Sequence, residues 1–178
     1  MATASTNNRN LPPLALSVRQ PWAWAIIHGG KVIENRSFGS IKAGNMDCRT
    51  ICIHAASGMK QVEFDWGYWR LAKHGVACPR PDELVRSAII GIVDVVDIIT
   101  DSDSEWFGGQ AGLVLDNPRA IEPIACVGAL GYFEWAPAGL FSPIKPWMSK
   151  WQPPSEATLD LFGGSEPPKP FGKTKPAS

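Results

Sequence analysis

The sequence predicts an α+β domain with six or seven strands and two helices, built on a small curled sheet or barrel. Two observations predict this class. Hydrophobic residues make up 44% and charged residues 19% of the 178 residues, which is typical of a globular protein. The apolar periodicity also changes several times along the chain, between strand alternation and helical spacing. Since no apolar run approaches the roughly 20 residues that span a bilayer, we expect no membrane contact.

The elements follow from this periodicity. Apolar residues alternate with small or polar ones from Leu14 to Val18, which predicts the first strand. A helix is predicted from Pro21, whose missing amide hydrogen costs nothing at the first helical position, to His28, before two glycines. A second amphipathic helix is predicted over residues 61–74. The other predicted strands span residues 31–38, 50–55, 87–100, 113–116, 121–126 and 130–135.

Proline divides the chain. Nine of the 16 prolines lie between residues 137 and 176, a density that a regular core does not tolerate because each proline removes a backbone donor. We therefore predict a folded domain at 11–136 and a Pro-rich tail at 137–178. The tail is expected to be partly packed on the domain, through Trp147 and Trp151, and partly disordered.

The tail also holds a short apolar motif, Thr158-Leu-Asp-Leu-Phe162. It resembles the peptide by which many bacterial proteins dock onto the replication sliding clamp, although a threonine replaces the usual leading glutamine. The side chains in Leu159–Phe162 can anchor a weak clamp contact. Alternatively, they fold back onto the domain.

The formal net charge is zero, whereas nucleic-acid binding usually leaves a basic footprint on a protein. The charges are unevenly distributed, however: residues 9–86 carry a surplus of five positive charges and residues 87–137 a surplus of seven negative ones. This pattern is compatible with a basic face, or with chance. The zero net charge argues against strong sequence-independent binding of duplex nucleic acid. It is compatible with a small cleft that binds one or a few nucleotides.

Cysteine and histidine do not form a metal site. The four cysteines form no Cys-x-x-Cys pair, and the three histidines have no metal-ligand spacing with them. We therefore expect no cofactor and no metal. Because residues 1–10 lack the apolar core of a signal peptide, we expect a cytoplasmic protein. The oligomeric state is not predicted.

Two segments carry the candidate site residues. In the segment from Gly29 to Ser37, Glu34 and Arg36 would share one face of a strand that begins near Lys31. They form either a structural ion pair or the lining of a cleft in which Arg36 binds a phosphate or a base edge.

The second segment, Ser17-Val-Arg-Gln20-Pro-Trp22, places polar groups and an aromatic ring at a strand-to-helix turn. Trp22 either stacks on a base or packs the helix onto the sheet. A third candidate, His54, is either a ligand-binding residue, with general-acid work in a nuclease as one role, or a hydrogen-bonded core histidine.

These motifs together resemble those of ASCH domains, a branch of the PUA-like superfamily, of the small stand-alone bacterial or phage type. The resemblance rests on Gln20-Pro-Trp-Ala and Gly30-Lys-x-x-Glu34-x-Arg36 at this spacing. It continues through Ile51-Cys-Ile-His-Ala-Ala and Gly112-Leu-Val-Leu-Asp-Asn-Pro, and covers about 14–136.

The resemblance implies a PUA-like mixed β-barrel flanked by two or more helices. Its cleft would lie between the Gln-Pro-Trp turn and the Lys-x-x-Glu-x-Arg strand. ASCH domains are regarded as RNA-binding or nucleic-acid-binding modules, and some bacterial members are amidohydrolases of N4-acetylcytidine or proteins that cleave RNA. The amidohydrolases have a threonine at the position of Glu34.

We therefore predict that the cleft binds RNA or a modified nucleoside, with a ribonuclease or a nucleoside amidohydrolase as the alternative. In the enzyme, Lys31 would act as nucleophile or base and Glu34 would orient water or take a proton. The predicted ligand-binding residues are Ser17, Gln20, Trp22, Lys31, Glu34, Arg36, Ser37 and His54.

Overall fold

The computed structural model describes residues 10–155, which form six strands and four helices. The strands are β1 (Leu14–Val18), β2 (Ile33–Arg36), β3 (Thr50–Ala55), β4 (Ala88–Ile99), β5 (Ala111–Ala125) and β6 (Tyr132–Glu134). The helices are α1 (Trp22–His28), α2 (Phe38–Ala43), α3 (Gln61–Lys73) and α4 (Pro146–Lys150).

The strands form one mixed sheet in the order β2-β5-β4-β3-β1-β6. The β1–β3 pair is parallel and the other four pairs are antiparallel. The long strands β4 and β5 pair with three shifts of register, and such bulges bend a sheet and increase its twist. The result is a curled half-barrel, which confirms the predicted α+β class.

The curl brings distant strands together. Arg36 at the end of β2 donates a hydrogen bond to the carbonyl of Ser17 on β1, at 2.9 Å, although three strands separate β2 from β1 in the sheet. On the other side, the Tyr132 amide donates to the carbonyl of Gly44, at 3.2 Å. The main chains of Gly44 and Gly131 touch there, since a Cβ on Gly131 would lie 2.6 Å from the Cα of Gly44.

Three apolar clusters within residues 10–155 stabilise the fold, and two of them involve helices. The larger one packs α1 into the curl of the sheet, with Leu16, Ile26 and Ile53 among its buried members. The second joins α3 to α4, where the rings of Phe64 and Trp151 meet edge to face at 5.0 Å. Burial of these side chains contributes about 1.5–3 kcal/mol for each large apolar residue.

The structure differs from the predicted elements in four places, one of which is the unpredicted helix α4 in the tail. The segments predicted as strands at 113–116 and 121–126 belong to the single strand β5, which passes through a left-handed residue, Asn117 (φ 51°), without ending. Strand β2 is shorter than predicted because the Ser37 side chain caps the unpredicted helix α2 by accepting from the Ser40 amide. Pro21 is the N-cap of α1 rather than its first residue.

The described part of the tail, up to residue 155, contacts the rest of the chain through α4. Met148 and Trp151 are buried in the second cluster, and the Trp151 indole donates to Asp65 at 2.7 Å. The motif at 158–162 lies outside the described residues, so the clamp contact through Leu159–Phe162 stays a prediction, as does the domain boundary at 136. None of the helices in the range 10–155 is long and apolar enough to cross a membrane.

Candidate functional site

A cleft of about 390 Å³ opens where β1 and β3 end and the segment 126–140 crosses them. Its volume falls within the range of about 300–1,000 Å³ that is usual for small-molecule sites. No acidic side chain is among the described residues that line it. The lining residues are Ser17, His54, Ala56, Ser57, Ser87, Cys126, Val127, Gly128, Ala129, Leu130, Ala138, Gly139 and Leu140.

The polar centre of the cleft is a pair of side chains on neighbouring strands. Ser17 on β1 lies opposite His54 on β3 in the parallel register. The Ser17 hydroxyl is 3.0 Å from Nδ1 of His54, and Nε2 of the same ring is 3.0 Å from the carbonyl oxygen of Cys126. Both are ordinary hydrogen-bond distances.

These partners determine the tautomer of His54. A carbonyl oxygen can only accept, so Nε2 carries the hydrogen and donates it to Cys126. Burial lowers the pKa of His54, against the opposing effect of the Cys126 carbonyl, and this favours the neutral ring. Nδ1 is then unprotonated, and the Ser17 hydroxyl donates to it.

Gly128 covers this pair. A Cβ at Gly128 would lie 2.5 Å from Cε1 of His54 and 2.7 Å from Oγ of Ser17, closer than real contacts allow. The segment after β5 can therefore pass over the pair only because this residue has no side chain.

A buried cation lies behind the cleft. Arg86 is buried and donates to the carbonyl oxygens of Ser57, which lines the cleft, and Pro143. Within residues 10–155, no carboxylate lies within 4.0 Å of its guanidinium. Burial lowers the pKa of Arg86. The ordinary value is so high that the group remains charged, which gives this wall of the cleft a positive potential.

Three of the predicted site residues form a separate ion cluster. Nζ of Lys31 is 2.9 Å from Oε2 of Glu34, and the other oxygen of Glu34 is 3.2 Å from the Arg36 guanidinium. The Lys31 ammonium also donates to the Ile33 carbonyl. Burial raises the pKa of the Glu34 carboxyl, but Lys31 and Arg36 together outweigh it and hold that pKa below its usual range.

This ion cluster does not line the cleft, but it contacts the main chain of a residue that does. Arg36 donates to the carbonyl of Ser17, whose hydroxyl faces the cleft. The Nε of Arg36 has no hydrogen-bond partner among the described residues. Lys31 borders a different cavity of about 60 Å³, which is too small for a nucleoside.

The other predicted site residues serve the local fold. Gln20 is buried, and its amide joins two backbones: Nε2 donates to the Val85 carbonyl and Oε1 accepts from the Trp24 amide, both at 2.9 Å. Trp22 is half-buried against the Trp66 ring at 5.2 Å. Ser37 is exposed at the start of α2.

The structure thus brings Ser17 and His54 together in the cleft and places Lys31, Glu34 and Arg36 beside it. Sequence analysis missed Gly128 and Arg86. The sequence signal for Arg86 is its position as an isolated basic residue just before the long apolar run that forms β4. A charged side chain at that position is buried together with the strand. The residues in the range 10–155 contain no group of three His, Cys, Asp or Glu side chains that could hold a metal ion.

Comparison with solved structures gives distant likenesses. No family model and no curated protein matches the chain. The crystal structure of a mutant ZmASCH protein from Zymomonas mobilis is similar over 83% of this chain and 94% of that chain. The TM-score is 0.35 and the identity 13%. The name of that protein contains ASCH, the family that the motifs of this chain resemble.

Proposed function

We propose that the protein binds a nucleotide of single-stranded RNA, or a modified nucleoside, in the cleft between β1, β3 and the segment 126–140. The observation that carries this proposal is the charge of the cleft. Its described lining has no acidic side chain, and the buried Arg86 behind Ser57 lacks a carboxylate partner within residues 10–155. An anionic ligand would compensate this positive potential.

The lining suits a nucleoside in two further ways. Ser17 and His54 offer a hydroxyl and an imidazole at the floor, which can exchange hydrogen bonds with a base edge. The walls are mostly apolar, including Val127, Leu130 and Leu140, and apolar walls exclude water from a bound base. The resemblance to ASCH domains points to the same class of ligand.

The ion cluster favours binding over catalysis by Lys31. The Lys31 ammonium donates to a carboxylate and to a carbonyl oxygen, so its nitrogen has no free lone pair with which to attack a substrate. Glu34 is engaged by two cations and is poorly placed to take a proton. These contacts favour a role for Lys31, Glu34 and Arg36 in holding the Ser17 strand.

A cleft-filling variant tests this proposal. Ala138 is exposed and lines the cleft, so Ala138→Trp fills the cleft without changing the core. Ala136→Trp is the matched control, since Ala136 is also exposed but does not line the cleft. Fluorescence anisotropy with labelled six-nucleotide RNA, and calorimetry with cytidine and N4-acetylcytidine, would measure the affinity.

We expect RNA binding that weakens with salt, because phosphate contacts release counterions. Ala138→Trp should reduce the affinity at least about tenfold, equivalent to about 1.4 kcal/mol, while Ala136→Trp leaves it unchanged. Absence of binding at low salt to the RNA and to both nucleosides would overturn the proposal, as would equal affinities for the two variants.

A further inference from the structure

The structure assigns a second activity to the same cleft: we propose that Ser17 is a nucleophile and His54 its general base, in an acyl hydrolase that acts on carboxylic esters. This activity goes beyond nucleotide binding, because the same pair of side chains would form and break covalent bonds. It uses the Ser17 hydroxyl, the two ring nitrogens of His54 and the Cys126 carbonyl, and it does not use Lys31 or Glu34.

The geometry is that of an activated serine. A nucleophile within about 2.6–3.2 Å of a base that a third group orients is the signature of covalent catalysis. Here the hydroxyl-to-Nδ1 distance is 3.0 Å, and the third group is the Cys126 carbonyl at 3.0 Å from Nε2. His54 is also held by the Phe133 ring, which meets it edge to face at 5.8 Å.

A purely structural hydrogen bond would not need an open side. Ser17 and His54 line a cleft of about 390 Å³, so a substrate can reach the hydroxyl. Gly128 keeps that approach narrow but open, because any side chain there would overlap both groups. The pair is therefore positioned as a reactive group at the bottom of a site.

The reaction needs only the ester and water. The Ser17 oxygen forms a bond to the acyl carbon as its proton moves to Nδ1 of His54, and the carbonyl electron pair moves to the acyl oxygen. Collapse of this intermediate breaks the bond to the alcohol, which leaves with the proton from Nδ1. Water then attacks the acyl-serine, giving its proton to His54, and the acid is released as the Ser17 hydroxyl is restored.

Donors for the developing oxyanion lie in the segment that crosses the pair. The amide groups of Gly128 and Ala129 have no hydrogen-bond acceptor within residues 10–155. Backbone amides aimed at the oxyanion are a common means of stabilising this intermediate. Since a Cβ on Gly128 would lie 2.7 Å from the Ser17 oxygen, this part of the segment passes directly over the nucleophile.

The rim of the cleft indicates the class of ester. Three large apolar side chains of the lining are exposed: Leu130 at 98%, Leu140 at 87% and Val127 at 70%. Such a concentration of exposed apolar residues around a cleft marks a binding surface. We therefore assign an ester whose acyl group is apolar and uncharged.

Covalent labelling tests the nucleophile. The full chain would be treated with an alkyl fluorophosphonate, and the adduct located by mass spectrometry. Hydrolysis of p-nitrophenyl butyrate would be followed in parallel. We expect an adduct on Ser17, with loss of fluoride, and a fall of at least about 100-fold in both rates for Ser17→Ala and His54→Gln. Ser149→Ala is the matched control, because Ser149 is exposed in α4 and does not line the cleft.

A second variant covers the case in which His54→Gln does not fold. In Ser17→Cys, His54 would accept the thiol proton, so iodoacetamide should alkylate residue 17 faster than the exposed Cys48 of the same molecule. The proposal would be overturned if the natural chain hydrolysed the ester no faster than Ser17→Ala, or if no adduct formed on Ser17. Neither result bears on RNA affinity, so the two proposals can fail separately.

Discussion

Glu34 lies between two cations, and its charge determines whether the ion cluster holds together. The carboxylate contacts Lys31 and Arg36 at once, and all three side chains are largely withdrawn from water. Loss of the negative charge would leave two buried cations facing each other. Removing one member of a buried ion pair costs about 3–5 kcal/mol, far more than a surface pair.

We predict that Glu34→Gln lowers the free energy of unfolding at pH 7 by about 3 kcal/mol. The folded pKa of Glu34 lies below its unfolded value, so its contribution to stability is present above the unfolded pKa and disappears as the pH falls through the folded one. Urea unfolding between pH 7 and pH 3 should show a shallower loss of stability in the variant than in the natural chain.

Asp94→Asn provides the comparison. The pKa of Asp94 is also lowered, first by the Thr50 hydroxyl and then by Asn117, but its carboxylate is more exposed. This variant should cost about 1 kcal/mol or less. Equal losses in the two variants would contradict the interpretation of Glu34 as the centre of a buried cluster.

At the residue scale, local patterns in the sequence predict some of the contacts among the candidate side chains and not others. The alternation of a strand correctly placed Glu34 and Arg36 on one face, because that relation is local. The Ser17–His54 pair depends on the parallel pairing of β1 with β3, which joins residues 37 positions apart. Parallel pairing leaves no local pattern in the sequence. Ser17 and His54 were therefore each predicted as a ligand contact, and the hydrogen bond between them was not predicted.

At the element scale, α1 and α3 meet through a glycine. A Cβ at Gly67 in α3 would lie 2.6 Å from Cγ of Pro21, at the start of α1. The close approach lets α3 pack against α1 and against the Trp22 ring. A glycine in a helix interior costs about 1 kcal/mol relative to alanine, and this contact offsets that cost.

We predict that Gly67→Ala destabilises the protein by about 1–3 kcal/mol, because the added methyl group must displace Pro21. Gly39→Ala in α2 is the matched control, since nothing lies within 4 Å of a Cβ there. That variant should stabilise the fold by about 0.5–1 kcal/mol. Thermal unfolding followed by circular dichroism measures both, and a higher Tm for Gly67→Ala would refute the packing argument.

Strand β5 and helix α2 were mispredicted for different reasons. Strand β5 was predicted as two pieces because its middle, Asp116-Asn-Pro-Arg119, is rich in turn-forming residues. Pairing with β4 nevertheless resumes on both sides of this stretch, with shifts of register. Helix α2 was missed because it has six residues and none of them is buried, so it shows no apolar stripe.

At the scale of the whole molecule, the curled sheet is closed by a few contacts rather than by a continuous ladder of backbone hydrogen bonds. The edge strand β6 pairs with β1 over three residues. On its other side, the Tyr132 amide of β6 donates one hydrogen bond to the Gly44 carbonyl. By contrast, β4 and β5 pair over most of their length. Regions with few buried contacts open at lower free energy than the core.

We predict that the amide hydrogens of β6 exchange with solvent at least about tenfold faster than those at the centre of β4. Gly44→Ala should widen this difference, because a Cβ there would lie 2.7 Å from the Cα of Gly131 and push the two segments apart. Hydrogen exchange followed by mass spectrometry measures both effects. If the amide hydrogens of β6 and of central β4 exchanged at equal rates, the prediction would be wrong, and the closure at β6 would be as stable as the β4–β5 pairing.

The hydrogen bond from Arg36 to the Ser17 carbonyl has a consequence for how the signature segments are read. One residue, Ser17, is held by the ion cluster through its main chain and faces the cleft with its side chain. A substitution in the Lys-x-x-Glu-x-Arg strand would therefore displace the hydroxyl without removing any group that lines the cleft. A mutational scan for function would rank Arg36 among the site residues. Its effect is indirect, because Arg36 lies on β2 at the opposite edge of the curled sheet and positions Ser17 by bonding to its carbonyl.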